Sequence, residues 1–186
     1  MPPAASRRGT TSRRDLLIDS ALGVLAEHGV AGTTHRRVAA AAEVPLGSTT
    51  YYFADLGDLL AAAFARFADR ISERFEARLL PARSPEEAIC AITDFMVHDV
   101  DDAAELALSY EFYALAVRRP EIASLVEAWF GRSQQALAPF FDPVTARLVD
   151  TYMEGLFTYR GLARGSSDGP EIRRALRLLS GLPAGE

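Results

Sequence analysis

From Asp58 to Leu80 the chain runs 23 residues without a glycine or a proline, while Leu60, Phe64, Phe67, Ile71, Phe75 and Leu79 recur every three or four positions. A stripe of that period is sheltered along one side of an α-helix, here roughly 35 Å long at about 1.5 Å per residue. Composition agrees, since 32 alanines and 22 leucines stand against 10 valines and 6 isoleucines, a balance that favours helix over strand. The expected fold class is all-α. Glycines and prolines divide the remaining chain into about nine helices in all. The first follows a capping pair, Ser12 with Asp15, and carries Leu17, Ile18, Ala21, Leu22 and Leu25 before Gly29 stops it. Two short helices follow, one from the Thr33/Thr34 cap to about Ala41 and one over residues 46–52, with a break at Phe53, Ala54 and Asp55. Beyond Pro81 the windows are 86–119, broken in two near Asp99, Asp101 and Asp102, then 120–138, 143–163 and 170–179.

Charge separates the chain into two parts. All 20 basic residues are arginine, and residues 1–53 hold six of them against four acids, whereas residues 54–186 hold 14 against 21. A weakly basic head on an acidic body means that the head alone suits a polyanion. The single cysteine, Cys90, makes no internal disulfide and is too little for a metal cluster. No apolar run reaches the length of a membrane span and the N-terminus lacks a signal-peptide pattern, so a cytoplasmic protein without membrane association is expected. Neither a glycine-rich phosphate loop, nor a metal-binding His-Glu spacing, nor a Gly-x-Ser-x-Gly elbow occurs, so neither an enzyme nor a resident cofactor is expected.

Two helices of seven or eight residues joined by a tight turn bury little by themselves. Ala39 is small enough for a helix crossing, Val38, Ala42 and Val44 form an apolar wall, and Leu46, Gly47, Ser48, Thr50 and Tyr51 face outward on the second helix. That is the pattern of a helix-turn-helix whose second helix enters a major groove. An ordinary helical hairpin within a bundle has the same spacing.

The stretches LIDSALGVLAEHG at 17–29, TTHRRVAAAA at 33–42 and EVPLGSTTYYF at 43–53, followed by Asp58, Leu59 and Leu60, resemble the DNA-binding domain of the TetR family of bacterial transcriptional regulators. The resemblance implies a disordered basic tail over 1–12, a helix-turn-helix domain over 13–55, and an effector-binding and dimerisation domain over 56–186. It implies a double-stranded DNA operator as partner. Thr34 would bond a phosphate, Arg36 would read a base edge, and Leu46, Gly47, Ser48, Thr50, Tyr51 and Tyr52 would meet bases and backbone, with Tyr52 also packing the small domain. Arg7, Arg8, Arg13 and Arg14 would lie along phosphates or a minor groove, an ordinary surface charge being the other reading of Arg14. Three departures stand out: Glu43 replaces a turn glycine, Leu46 and Leu56 replace lysines that grip phosphates, and Thr49 replaces a core leucine. Weaker general affinity for DNA is the expected result.

In the body, Val144, Leu148, Tyr152, Leu156, Tyr159 and Ala163 form one apolar stripe and Ile172, Ala175, Leu176 and Leu179 another. They are assigned to a four-helix homodimer interface, with intramolecular packing as the other use of such stripes. The rings and polar tips of Phe95, His98, Tyr110, Tyr113, Trp129 and Phe157 are assigned to a pocket for a small, lipophilic effector. Asp94 and His98, four apart, with Asp101, Asp102 and Glu105 beyond, are a solvated acidic face or a weak cation site. Together these features point to a ligand-released repressor binding a palindromic operator as a homodimer. The alternative is a DNA-bound adaptor that recruits a protein partner and has no effector, which predicts a filled body lacking a cavity of about 300 Å³.

Overall fold

The computed structural model describes residues 12–99, 103–163 and 168–183. Among these residues the helices are α1 (Arg13–Gly32), α2 (His35–Ala41), α3 (Gly47–Tyr52), α4 (Leu56–Leu79), α5 (Pro85–Asp94), α6 (Ala103–Ala116), α7 (Pro120–Leu137), α8 (Pro143–Ala163) and α9 (Gly169–Leu179), and no strand occurs. A π turn, Phe95–Asp99, follows α5 directly. The chain divides into two compact units, Met1–Ala63 and Phe64–Glu186. No helix among the described residues is long and apolar enough to cross a membrane.

Local hydrogen bonds set the helix starts in the first unit. The Ser12 hydroxyl accepts from the Asp15 amide at 3.1 Å and donates to its carboxylate at 2.6 Å, and such caps contribute about 1 kcal/mol each. Gly29 interrupts α1 with φ 64° and ψ −179°, a combination open essentially to glycine alone. Three further helical residues follow before Thr33, whose hydroxyl donates to the Gly29 carbonyl at 2.7 Å. Thr34 caps α2 by accepting from the Arg37 amide at 3.2 Å. Helix α4 begins at Leu56, two residues before the expected start, because the Asp55 carboxylate accepts from the Asp58 amide at 2.9 Å and the Asp58 carboxylate from the Ala54 amide at 3.1 Å. Leu17, Ile18, Leu25, Val38, Phe53 and Leu59 are buried in this unit.

The second unit is built around Phe75, Leu79, Ile89, Ile92, Phe95, Leu137, Val149, Leu156, Ile172 and Leu176. Ser84 caps α5 by accepting from the Glu87 amide at 3.2 Å, and Asp168 caps α9 by accepting from the Glu171 amide at 2.9 Å. Ion pairs tie the C-terminal half of α4 to its neighbours: Arg74 to Glu105 at 2.6 Å, Arg78 to Asp99 through two bonds of 2.6 and 2.9 Å, and Arg132 of α7 to Glu76 at 2.5 Å and Asp69 at 3.0 Å. Asp101 and Asp102, expected at the break after α5, lie outside the described residues.

Leu156, Ile172 and Leu176 do not face outward toward a second copy; they are buried in the core of their own chain. Helical periodicity says that a face is sheltered and not by which chain. The outward side of α8 carries Val144, Leu148, Tyr159 and Leu162, all exposed, with exposed Thr151 and Gly155 between them. Tyr152 and Leu179 are part-buried, and the side chain of Ala163 lies outside the described set.

Candidate functional site

Helix α3 presents a surface without charge. Leu46 and Tyr51 are exposed at 46% and 80%, Gly47 and Thr50 are exposed beside them, and Ser48 is partly so. Thr49 points inward, fully buried, where its hydroxyl is satisfied by donating to the Leu46 carbonyl at 2.7 Å. That local bond lets a threonine stand in an apolar position without an orphaned polar group. Tyr52 is part-buried and meets Tyr51 edge to face, with ring centres 4.9 Å apart.

The turn between α2 and α3 keeps its left-handed step despite the missing glycine: Glu43 sits at φ 54°. For a residue with a Cβ this costs on the order of 1 kcal/mol. The turn is held by backbone bonds from Glu43 to Ala40 at 3.1 Å and from Val44 to Ala39 at 3.0 Å. Thr34, Arg36 and Arg13 are exposed. Arg37 donates to the Gly32 carbonyl and so braces the start of α2. Arg14 lies over the Phe53 ring, 5.3 Å from its centre, a cation–π contact that the sequence reading missed. Leu56 is part-buried. Arg7 and Arg8 lie outside the described residues.

The body holds two adjoining clefts of about 40 and 50 Å³ that share Ile71, Phe95, Trp129, Met153 and Glu154, and a wider surface groove of about 580 Å³ between α4 and α5, lined by Arg78, Pro81, Glu86, Cys90 and Asp94. Of the side chains expected at an effector pocket, Phe95, Trp129 and Phe157 line the two clefts. Tyr113 reaches the site through its hydroxyl, which donates to the Glu154 carboxylate at 2.5 Å. Tyr110 instead bonds the Thr158 carbonyl at 3.1 Å. His98 is exposed and lines neither cleft. The π turn accounts for this, because its wider winding rotates His98 off the face that Phe95 occupies. Asp99 and Glu105 are committed to Arg78 and Arg74, and among the described residues no group of three or more His, Cys, Asp or Glu could hold a metal ion.

The residues that sequence reasoning passed over are acids. Asp150 is 5% exposed, and burial raises its pKa against the opposing bonds from Ser133 and Gln134. Glu154, one turn later on α8, is pushed up to about 7, chiefly by burial and further by Asp150, while the Tyr113 hydrogen bond pulls the other way. The Tyr113 hydroxyl is raised in turn, mostly by burial and then by the nearby Glu154. A readable signal existed: two acids four apart among Val149, Met153 and Leu156 on a helix whose apolar face must be covered.

Residues 17–63 match the family model described as bacterial regulatory proteins, tetR family, and residues 83–182 match that described as tetracyclin repressor-like, C-terminal domain. The chain belongs to the TetR family. This TetR-family transcriptional regulator therefore joins a helix-turn-helix domain to a C-terminal domain of the ligand-binding kind. It is 38% identical over 96 residues to the HTH-type transcriptional regulator CymR of Pseudomonas putida, a match spanning 52% of this chain and 44% of that protein. Among solved structures, SCO7518 from Streptomyces coelicolor A3(2) is 38% identical with a TM-score of 0.85, covering 90% of this chain and 98% of the other. The multidrug binding protein EbrR, crystallised with imidazole, is 32% identical with a TM-score of 0.74, covering 94% and 98%. EbrR has also been crystallised with ethidium.

Proposed function

We propose that this TetR-family regulator is a repressor that binds a palindromic operator as a homodimer and is released by a small-molecule effector. The observation that carries the DNA part is the outward face of α3, held against α2 by the turn at Glu43 and inside the stretch that matches the family's N-terminal model. Arg36 reads a guanine edge, the hydroxyls of Thr34, Ser48, Thr50 and Tyr51 meet phosphates and bases, and Leu46 packs on a thymine methyl. Tyr52 serves both packing and contact. Two copies are needed because one short helix covers only a few base pairs, and half-sites lie roughly 34 to 36 Å apart. The exposed α8 stripe of Val144, Leu148, Tyr159 and Leu162 supports a face for the second copy.

The effector site is the pair of clefts beside Trp129. Crystals of EbrR with bound small molecules support a ligand in the corresponding body. Helix α4 runs through both compact units, so a ligand that shifts its C-terminal half changes the spacing of the two α3 helices. A hundredfold release requires the effector to prefer the non-binding conformer by about 2.7 kcal/mol. One observation favours the adaptor reading: the clefts beside Trp129 are well short of the ~300 Å³ of a typical ligand pocket, and the larger space, about 580 Å³ beside Cys90, is a groove open to the surface. Selecting bound sites from genomic DNA, then footprinting them with and without metabolites that raise the protein's thermal stability, separates the two. Stabilising compounds that leave operator affinity unchanged would remove effector release, and no retarded duplex at low ionic strength would remove the DNA reading altogether.

A further inference from the structure

The clefts beside Trp129 contain something that an apolar pocket does not need. Glu154 is set among Ile71, Phe95, Met96, Trp129, Met153 and Phe157, and among the described residues its one hydrogen-bond partner is the Tyr113 hydroxyl. Among the described residues no arginine bonds it. Arg132 lines the neighbouring cleft, but its guanidinium is occupied by Glu76 through bonds of 2.5 and 2.8 Å and by Asp69 at 3.0 Å. Asp150 on the same helix adds a second acid, held by Gln134 at 3.1 Å. The titratable or charged groups facing Glu154 are thus Tyr113 from α6, Asp150 from α8, and the mutually paired Glu76 of α4 and Arg132 of α7. From the π turn, Phe95 and Met96 face it and neither titrates.

We infer that the cleft takes an aromatic monocation whose charge is met by Glu154, and that its arrival expels a proton that this carboxyl otherwise holds. The inference rests on the clefts being the effector site. A carboxylate in such walls is costly without a cation, so the carboxyl is still about half protonated at neutral pH and mostly so below it, with its pKa at about 7. A neutral ligand leaves that state unchanged. A cation within contact distance makes the charged form favourable, because attraction in a poorly solvated site far exceeds that in water. The Glu154 O–H bond then breaks, the proton leaves to the buffer, and the ligand's charge pairs with the carboxylate.

The surrounding rings fit the same guest. Trp129 has ring centres of Phe112, Tyr113 and Phe130 within 5.9 to 6.1 Å at angles of 20° to 26°, so near-parallel π faces flank the acid. Such faces attract cations as well as rings. The side chains that must yield are Met96 and Met153, whose thioethers repack readily, and the π turn carrying Met96 is a winding found often at functional sites.

Ethidium is a suitable probe because it is aromatic and permanently charged, so the titration observed belongs to the protein. Its affinity for the full-length protein, without DNA, is measured across the pH range, together with calorimetry in two buffers of different ionisation heat. For a carboxyl with a pKa of about 7 the affinity rises about tenfold from about pH 6 to about pH 8, with close to one proton released per ethidium at the lower pH. Glu154→Gln flattens the profile. Tyr113→Phe removes a bond that favours the carboxylate, so its profile keeps its shape and moves to higher pH. Absence of ethidium binding, a flat wild-type profile, or a Glu154→Gln profile that still rises tenfold overturns the inference. The wild-type profile alone suffices should either variant fail to fold. Proton-linked ethidium binding with no effect of any stabilising compound on operator affinity would leave this inference standing and sink effector release.

Discussion

Replacing Glu154 by glutamine isolates the free energy held in a part-buried carboxyl set against aromatic rings. In the folded chain this group titrates at about 7, against an ordinary value of 4.5. Between those values the unfolded chain has lost the proton and the folded chain keeps it, so the unfolded state binds fewer protons and stability falls as pH rises. The contribution is fully present below the unfolded value and is lost up to the folded one. Taken from about pH 5 to about pH 8, the loss is roughly 2 to 3 kcal/mol. Glutamine does not titrate, and its amide oxygen still accepts from the Tyr113 hydroxyl. The unfolding free energy of Glu154→Gln minus that of wild type should therefore grow by about that amount across the same range. Urea unfolding at fixed protein concentration and ionic strength, repeated at four pH values, measures it. A difference that stays flat within about 0.5 kcal/mol refutes the burial argument, and a difference that shrinks means that a cation already stabilises the carboxylate in the fold.

The fold sets three further expectations. Gly29→Ala places a Cβ at φ 64° and ψ −179° and should cost about 1 to 3 kcal/mol in denaturant unfolding; an unchanged midpoint would mean that the kink is not required. Arg36→Ala should weaken operator binding by about 1 to 3 kcal/mol and relax preference at one base pair, read by competition with single-position operator variants; a loss that is uniform across sequences would reassign it to a phosphate. Leu148→Glu puts a charge on the exposed α8 stripe, where Leu148 is 43% exposed, and should yield monomers by light scattering together with loss of operator retardation. A dimer that persists moves the interface elsewhere.

Much of the head was legible because its determinants are local. Ser12, Thr34 and Ser84 each accept a bond from the amide three residues on, so helix starts could be read from short words of sequence. That Glu43 stands in the turn was readable, whereas its positive φ is set by the backbone bonds to Ala40 and Ala39. The body was less legible. The apolar stripes of α8 and α9 were visible, but Leu156, Ile172 and Leu176 serve their own chain's core, and only the packing of α5 against α9 decides that. His98 was misplaced because a single π turn breaks the helical phase from which its direction was read. Glu154 was overlooked because acids on helices are usually solvated, and its burial depends on contacts with α6 and α7 far along the chain.

Trp129 is the sole tryptophan of the chain and stands in the wall of both clefts. Excitation at the red edge of protein absorbance therefore selects one indole at one address, close to a carboxyl that can quench it when protonated and to the methionines that a guest must displace. The regulator carries a built-in optical gauge of its own interior, needing no dye or label.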